Sequence, residues 1–372
     1  MIISPKQLPA FFAVNLIINC ALSTGAWSQM NIEAPKPPFR KDDVSLVLQL
    51  GPNILARVTE TDKEKSFFIF FENQGWTKVD TNGAESLATT FRVVRTSGTD
   101  HTALLCIVPG SEGGLLETEI IEFSKTGNAI VSLALPLIAG VDFNVTAFSS
   151  LPDGILFGIA KPSQAISPDL SAPLAHETTF FLKDADNWSV VPRPVKVDGQ
   201  IFVTTEEQQS SLSYVSRKDS VSTMKVFKLQ EILQQKLNKK VHPKIQVSGE
   251  EFHSVGSTLA STLFTETATE ITLLRPATKT SATFRVPGKQ YFVSAVEQAS
   301  CIFALFQNQP AEGDTMQLYE FDLTDSKNTA ILLGETTTDK TNVCFEYGSI
   351  SLFNDRPVVF SKQSNLFSEH AE

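Results

Sequence analysis

Short apolar runs recur along the whole chain and are separated by Gly, Pro, Asn, Asp and Ser. One such unit reads FNVTAFSSLPDGILFGIAKP and begins at Phe143. Comparable units begin about 50 residues apart, at Val44, Phe91, Phe143, Ile201, Phe252 and Phe292. This period constrains the fold more than any other feature, because self-similarity at roughly 20–50 residues is typical of repeat architectures.

A second pattern repeats inside the units. The segment FFENQGWTKV at 70–79 resembles FFLKDADNWSVV at 180–191, since paired aromatics precede a polar turn and a Trp in both. Each segment follows a hairpin of its own, so the repeating unit is one hairpin followed by another. The last full unit shows all four strands, as YFVSAVEQ, SCIFALFQN, TMQLYEFDL and TAILLGE.

Four antiparallel strands repeated at this period predict an all-β chain folded as a β-propeller. A sheet with two apolar faces needs a neighbour on each side, and a closed ring of sheets supplies both. Over 44–360 the chain resembles bacterial secreted β-propellers, at the level of architecture and with no narrower family. We expect seven blades; the alternatives are six blades with an extra hairpin, and two β-sandwich domains.

The segment FEYGSISLFNDRPVVFSK at 345–362 is predicted to be a hairpin that turns at Asn354 and Asp355. It forms the inner half of a seventh unit and should pack against both the sixth unit and the first. Residues 29–43 precede the first unit, so ring closure would bring them near this hairpin as a closing edge strand. Alternatively, the last nine residues add a short third strand.

One stretch departs from the strand pattern. Residues 226–241, VFKLQEILQQKLNKKV, place four apolar side chains at helical spacing and predict one inserted amphipathic helix. Its apolar face either packs against its own blade or faces a partner. The residues concerned are Leu229, Ile232, Leu233 and Leu237.

The first 28 residues read as a signal peptide, with Lys6 before an apolar region from Leu8 to Leu22. Cleavage is expected between Ser28 and Gln29, which makes the protein extracytoplasmic, either periplasmic or secreted. A buried N-terminal helix or strand is the alternative interpretation. Lipidation of Cys20 would attach the protein to a membrane, which is otherwise not an expected partner. The domain plan is thus 1–28 signal peptide, 29–43 N-terminal segment and 44–372 propeller.

The formal net charge is −10, which disfavours nucleic acid as a partner because phosphate backbones would be repelled. We expect a monomer that binds an unknown protein or glycan. Three cysteines follow the predicted cleavage site, Cys106, Cys301 and Cys344, and their spacing fits no disulfide framework. Cys301 and Cys344 would pair only if their strands are neighbours; separate buried thiols are the preferred interpretation.

No catalytic, cofactor-binding or metal-binding motif can be assigned from the sequence, and the five histidines show no ligand spacing. We therefore predict a non-enzymatic binding or scaffold protein without a cofactor. The alternative is an extracytoplasmic hydrolase or lyase with a carboxylate-based site at the propeller channel. Carboxylates converging at one channel mouth would favour the enzyme, and an apolar or Ser/Thr-lined mouth would favour binding.

Overall fold

The structure is a computed structural model, and it describes twenty ranges of the chain. These are 35, 37–40, 43–59, 65–80, 92–97, 102–109, 116–124, 126–133, 144–151, 154–160, 175–184, 187–190, 195–198, 200–206, 209–218, 221–229, 244–249, 251–308, 315–337 and 348–360.

The strands group into consecutive antiparallel sheets. The first sheet holds β1 (Val44–Leu50), β2 (Asn53–Thr59), β3 (Lys65–Phe71) and β4 (Gly75–Lys78), and the second holds β5 (Arg92–Ser97), β6 (Thr102–Pro109), β7 (Leu116–Phe123) and β8 (Ala129–Leu133). The third holds β9 (Asn144–Leu151), β10 (Gly154–Ala160), β11 (Ala175–Asp184), β12 (Asn187–Val190) and β13 (Val195–Asp198). The fourth holds β14 (Gln200–Glu206), β15 (Gln209–Lys218), β16 (Val221–Lys228) and β17 (Lys244–Val247).

The remaining sheets complete the order. The fifth holds β18 (Glu251–Val255), β19 (Thr258–Phe264), β20 (Ala268–Arg275) and β21 (Thr280–Pro287). The sixth holds β22 (Gln290–Gln298), β23 (Cys301–Asn308), β24 (Thr315–Asp322) and β25 (Ala330–Thr337), and a two-stranded sheet holds β26 (Ser349–Phe353) and β27 (Arg356–Phe360). Within the described ranges, strand follows strand across each four-stranded sheet without a crossover.

The sheets form a ring. Each first strand contacts the first strand of the next sheet, in the order β1, β5, β9, β14, β18, β22 and β26, and β26 contacts β1. Apolar clusters fill the spaces between neighbouring sheets: Phe67 and Ile121 lie between the first and second, Met224 and Leu259 between the fourth and fifth, and Phe284 and Phe306 between the fifth and sixth. Fully burying one such side chain contributes about 1.5–3 kcal/mol.

The terminal hairpin packs on both of its neighbours in this ring. Ile350, Leu352 and Val359 pack against the sixth sheet. They share one apolar cluster with Leu305 and Met316 of that sheet. On the other side, Val358 and Phe360 pack against Ile54 and Phe70 of the first sheet. The Phe70 and Phe360 ring centroids are 4.8 Å apart. The prediction that this hairpin contacts both the sixth unit and the first is confirmed.

Hydrogen bonds reinforce the closure. The Gln49 side-chain amide makes two hydrogen bonds with the backbone of Ile350, as a neighbouring strand would. Its Nε2 donates to the Ile350 carbonyl (2.8 Å), and the Ile350 N–H donates to Gln49 Oε1 (2.9 Å). The Asn73 N–H donates to the Leu352 carbonyl at 3.0 Å. The hairpin turns at Asn354 (φ 50°) and Asp355 (φ 60°), as predicted, since both residue types tolerate the left-handed conformation.

The β-propeller architecture is confirmed, and the two-sandwich alternative does not fit a ring in which each sheet has two packed neighbours. The predicted blade count of seven remains a prediction, because the last sheet has two strands in the described ranges.

The third sheet has a fifth strand that the sequence did not indicate. Its ten-residue β11 pairs with β12 along one half and with β13 along the other.

The predicted start of the helix is wrong. Its first three residues, 226–228, belong to β16, because that strand pairs with β15 through Lys228 opposite Ser211. Leu229 follows and is buried. The other helix residues, Ile232, Leu233 and Leu237, lie outside the described residues, so the helix and its partner-facing role remain predictions.

The described part of the N-terminal segment packs on the first sheet. The Phe39 ring lies 5.0 Å from both Phe68 and Trp76, and Trp76 also contacts Phe360 at 5.2 Å. The segment therefore reaches the seam where the ring closes. The closing strand remains a prediction, because 29–34, 36 and 41–42 lie outside the described residues. Within the described ranges, no helix is long and apolar enough to cross a membrane.

Candidate site at the entry rim of the fifth and sixth sheets

The first strands of the fifth and sixth sheets, β18 and β22, begin at the same end of the ring. Phe264, the last residue of β19, contacts Tyr291 near the start of β22, with ring centroids 5.3 Å apart. Because β19 runs antiparallel to β18, its last residue lies at the end where β18 begins. Both first strands therefore begin at one end of the ring, which we call the entry end.

Three side chains at the entry end define what we call the entry rim: Glu251, Phe264 and Tyr291. Tyr291 is 39% exposed, a large fraction for an aromatic side chain, and its ring meets Phe264 edge to face. The Glu251 side chain is 45% exposed. Glu251 pairs with Thr262, two residues before Phe264, so both side chains lie on the same face of the fifth sheet.

An aromatic layer lies beneath the rim. The His253 imidazole stacks on Phe292 with centroids 4.4 Å apart, and Phe292 in turn meets Phe306 edge to face at 5.6 Å. His253 and Phe292 belong to the first strands of the fifth and sixth sheets. The layer therefore couples the rim to the apolar core between the two sheets.

Burial lowers the pKa of His253 from 6.5 to about 4. About a third of the side chain remains exposed, but its Nε2 is enclosed and has no hydrogen-bond partner among the described residues. Glu251 Oε2 lies 3.9 Å from that nitrogen, too far for a hydrogen bond. The imidazole is therefore neutral at pH 7, and the atom that faces the carboxylate is not accessible to a substrate.

A hydrogen-bond network fixes the start of β22 beneath Tyr291. The Gln290 N–H donates to Thr269 Oγ1 at 2.8 Å, and Gln290 Nε2 donates to the Pro287 carbonyl. Gln317 accepts from both Gln290 Nε2 and Tyr319 Oη. Burial raises the pKa of Tyr319 above its usual value, so the phenol remains a donor. The network holds the rim in register across the two sheets.

At the opposite end of the same two sheets, Glu297 links the sixth sheet to the fifth through an ion pair and hydrogen bonds, an arrangement that we call the Glu297 joint. Glu297 accepts hydrogen bonds from the Ser257 N–H and hydroxyl and from Arg275 Nη2, the last at 3.1 Å. Gly256 (φ 55°) allows this approach, because a Cβ there would overlap the Glu297 carboxylate. These contacts connect Ser257 and Arg275 of the fifth sheet to Glu297 of the sixth, so the joint ties the two sheets together at this end.

Sequence reasoning placed no functional residue at the rim. The predicted cleavage residues, Ser28 and Gln29, lie outside the described residues, as do Cys20 and Cys344. Cys301 is a free thiol, and burial raises its pKa. No sequence signal marked the rim: blades are packed on both faces, so adjacent aromatic residues such as Phe67 and Phe68 are both buried, and the pair Tyr291 and Phe292 does not by itself indicate exposure. Among the described residues, no group of three or more His, Cys, Asp or Glu could hold a metal ion.

The comparisons with known proteins give the class of fold. No known protein family matches the sequence, and no characterised protein does. Among solved structures, the chain is similar to an uncharacterized protein from Listeria monocytogenes EGD-e, with 10% identity, 90% of this chain and 93% of that chain covered, and a TM-score of 0.51. At this identity the likeness supports the fold alone, which is a β-propeller without a narrower family.

Two matches have lower structural similarity. One is the acylaminoacyl peptidase of Pyrococcus horikoshii, with 11% identity, a TM-score of 0.42, 82% of this chain covered and 46% of that one. The chain thus spans about half the length of that peptidase. The other is the β-propeller domain of the trilobed protease from Pyrococcus furiosus, with 11% identity, a TM-score of 0.40 and coverage of 83% and 87%.

We predict that His253 makes folding stability depend on pH. The unfolded chain binds a proton near pH 6.5 and the folded chain only near pH 4, so the free energy of unfolding should fall as the pH drops through that window. The measurement is urea unfolding of the wild type and of His253→Phe from pH 7 to pH 4. The difference between the free energies of unfolding of the wild type and His253→Phe should change with pH inside the window and level off above it.

The matched control is Tyr319→Phe, another ring substitution in the same interface, whose phenol does not titrate in this range. Its difference from the wild type should be independent of pH. Parallel curves for His253→Phe and the wild type would contradict the prediction.

Proposed function

We propose that this protein is an exported, non-enzymatic binding protein and that its ligand binds at the entry rim. The observation that carries the proposal is the exposed Tyr291 side chain, which meets the partly buried Phe264 ring edge to face at the end of the fifth sheet that also carries the half-exposed Glu251 side chain. Exposed aromatic side chains offer large contact area with little loss of conformational entropy, and a few polar groups then orient the ligand.

The geometry beneath the rim favours binding over catalysis. A hydrolase would need a base or acid within reach of its substrate. Glu251 of the rim lies near His253 of the layer beneath it, but the His253 Nε2 that faces Glu251 is enclosed. The rim thus contains one half-exposed carboxylate, that of Glu251, and a second carboxylate at glycosidase spacing is not among its three side chains.

Removal of the Tyr291 ring should weaken ligand binding. Isothermal titration calorimetry against a panel of neutral oligosaccharides and of short acidic, neutral and basic peptides should find at least one ligand with a Kd below ~1 mM. Tyr291→Ala should weaken that ligand by about tenfold or more. Leu332→Ala is the control, because Leu332 is 48% exposed but lies on the outer strand of the sixth sheet.

Two results would contradict the binding proposal. One is a panel in which nothing binds, and the other is a ligand whose affinity is unchanged by Tyr291→Ala. Turnover of a panel member that is lost in Glu251→Gln would instead favour the hydrolase or lyase alternative.

Export predicts a shortened mature chain. Mass spectrometry of the protein from its native host should find Gln29, or a residue within a few positions of it, at the N-terminus. An intact Met1 on the mature protein would contradict export. A lipidated Cys20 would place the same fold at a membrane surface.

A further inference from the structure

We propose that the proline-rich segment before the first sheet is a latch on the ring. While the segment is docked, it holds Trp76 against the terminal hairpin, and its release opens the seam between this hairpin and the first sheet. The segment, which we call the strap, consists of Pro35 and residues 37–40. Its contacts, its prolines and the environment of Trp76 each support the inference.

Trp76 connects the strap to the terminal hairpin. Its ring meets Phe39 of the strap edge to face at 5.0 Å, and it meets Phe360 of the hairpin edge to face at 5.2 Å. Trp76 also lies 5.4 Å from Phe70, which itself packs on Phe360. Contacts of this geometry stabilise a structure beyond what burial alone provides. Because one indole ring makes both contacts, loss of Phe39 should weaken the packing of Trp76 on the hairpin.

The first sheet is shaped to receive the strap. Phe39 packs on Phe68 as well as on Trp76, with ring centroids 5.0 Å apart in both pairs. Pro35 lies against Gly75, because a Cβ on Gly75 would be 3.2 Å from Pro35 Cγ. Gly75 has φ 89°, so the absence of a side chain there serves the backbone conformation and also leaves room for the proline ring. The strap therefore has a defined position on the sheet.

The prolines allow the strap to leave the sheet at low cost. Pro35, Pro37 and Pro38 have no N–H group, so they cannot donate hydrogen bonds to a strand ladder. In the part of the chain that the structure describes, no strand pairs with the strap. The Arg40 carbonyl accepts a local turn bond from the Asp43 N–H at 3.2 Å. Release of the strap therefore breaks side-chain contacts and leaves the strand pairs of the first sheet intact.

The closed seam encloses a polar group that opening would release. Trp76 Nε1 is buried and has no hydrogen-bond partner among the described residues. A buried donor without a partner costs free energy, and water would satisfy it once the seam opens. The bonds of Gln49 with Ile350 across this seam are neutral, and water can replace them, whereas an ion pair of Glu297 fastens the seam between the fifth and sixth sheets. Of these two seams, the one at the hairpin should therefore open more readily.

Hydrogen exchange measured by NMR on the full chain tests the latch. Two amides donate across the hairpin seam, Ile350 to Gln49 Oε1 and Asn73 to the Leu352 carbonyl, and both report its opening. Phe39→Ala should speed exchange at both by about tenfold or more, because the open state becomes more populated. The Ser257 amide, which donates to Glu297 across the other seam, should change less than about twofold.

Arg40→Ala is the matched control, because Arg40 belongs to the strap but its side chain is exposed. Exchange at Ile350 and Asn73 in this variant should match the wild type. Phe39→Leu removes the ring but keeps an apolar side chain, so it should give the same pattern with a smaller increase. It also replaces Phe39→Ala if that variant does not fold.

Three results would overturn the latch. Unchanged exchange at Ile350 in Phe39→Ala would show that the strap does not hold the hairpin. Equal acceleration at Ile350 and Ser257 would indicate general destabilisation in place of local opening. Faster exchange at Asn73 alone would confine the effect of the strap to the first sheet.

Discussion

Burial of two sheet faces at once is the constraint on which this structure depends. The strand β3 shows it directly, because all residues from Ser66 to Phe71 are buried and alternate residues point to opposite faces. A sheet built from such strands needs a packed neighbour on each side. The hairpin at 348–360 supplies the last neighbour, since it lies between the sixth sheet and the first. Without it, two apolar faces would be open to water.

Ring closure also determines where a ligand can bind. The first strands line the centre, so side chains near their ends are the ones that can be exposed without losing core contacts. At the fifth and sixth sheets, the Gln290 network fixes the entry end and the Glu297 joint fixes the opposite end. Glu251, Phe264 and Tyr291 are therefore held on two sheets that are tied at both ends. A preorganised surface of this kind loses little entropy when it binds.

Much of the fold could be predicted because its determinants are local and repeat. Turn residues such as Asn354 and Asp355, and the aromatic pairs before Trp76 and Trp188, mark hairpins in the sequence alone. The incorrect or missed predictions concern residues whose structure is decided by pairing with a neighbouring strand. Residues 226–228 have a helical spacing pattern but extend β16, because β15 is long enough to pair with them. The division of β11 between β12 and β13 likewise depends on strand length and not on a turn signal.

The candidate site was not predictable, because exposure is decided by the neighbouring sheet. Tyr291 and Phe292 look alike in the sequence, yet one is exposed and the other stacks on His253. Likewise, nothing near His253 in sequence shows that its ring would be enclosed. Both properties arise where two units about 40 residues apart in sequence pack together.

A double-mutant cycle between Phe70 and Phe360 tests ring closure most directly. These residues lie in the first and last sheets with ring centroids 4.8 Å apart. Equilibrium urea unfolding of Phe70→Leu, Phe360→Leu and the double variant should give an interaction free energy of about 0.5–1.5 kcal/mol. The same cycle between Phe70 and Phe284, which lies between the fifth and sixth sheets, should be additive. Additivity within about 0.3–0.5 kcal/mol for Phe70 and Phe360 would contradict closure of the ring by this hairpin.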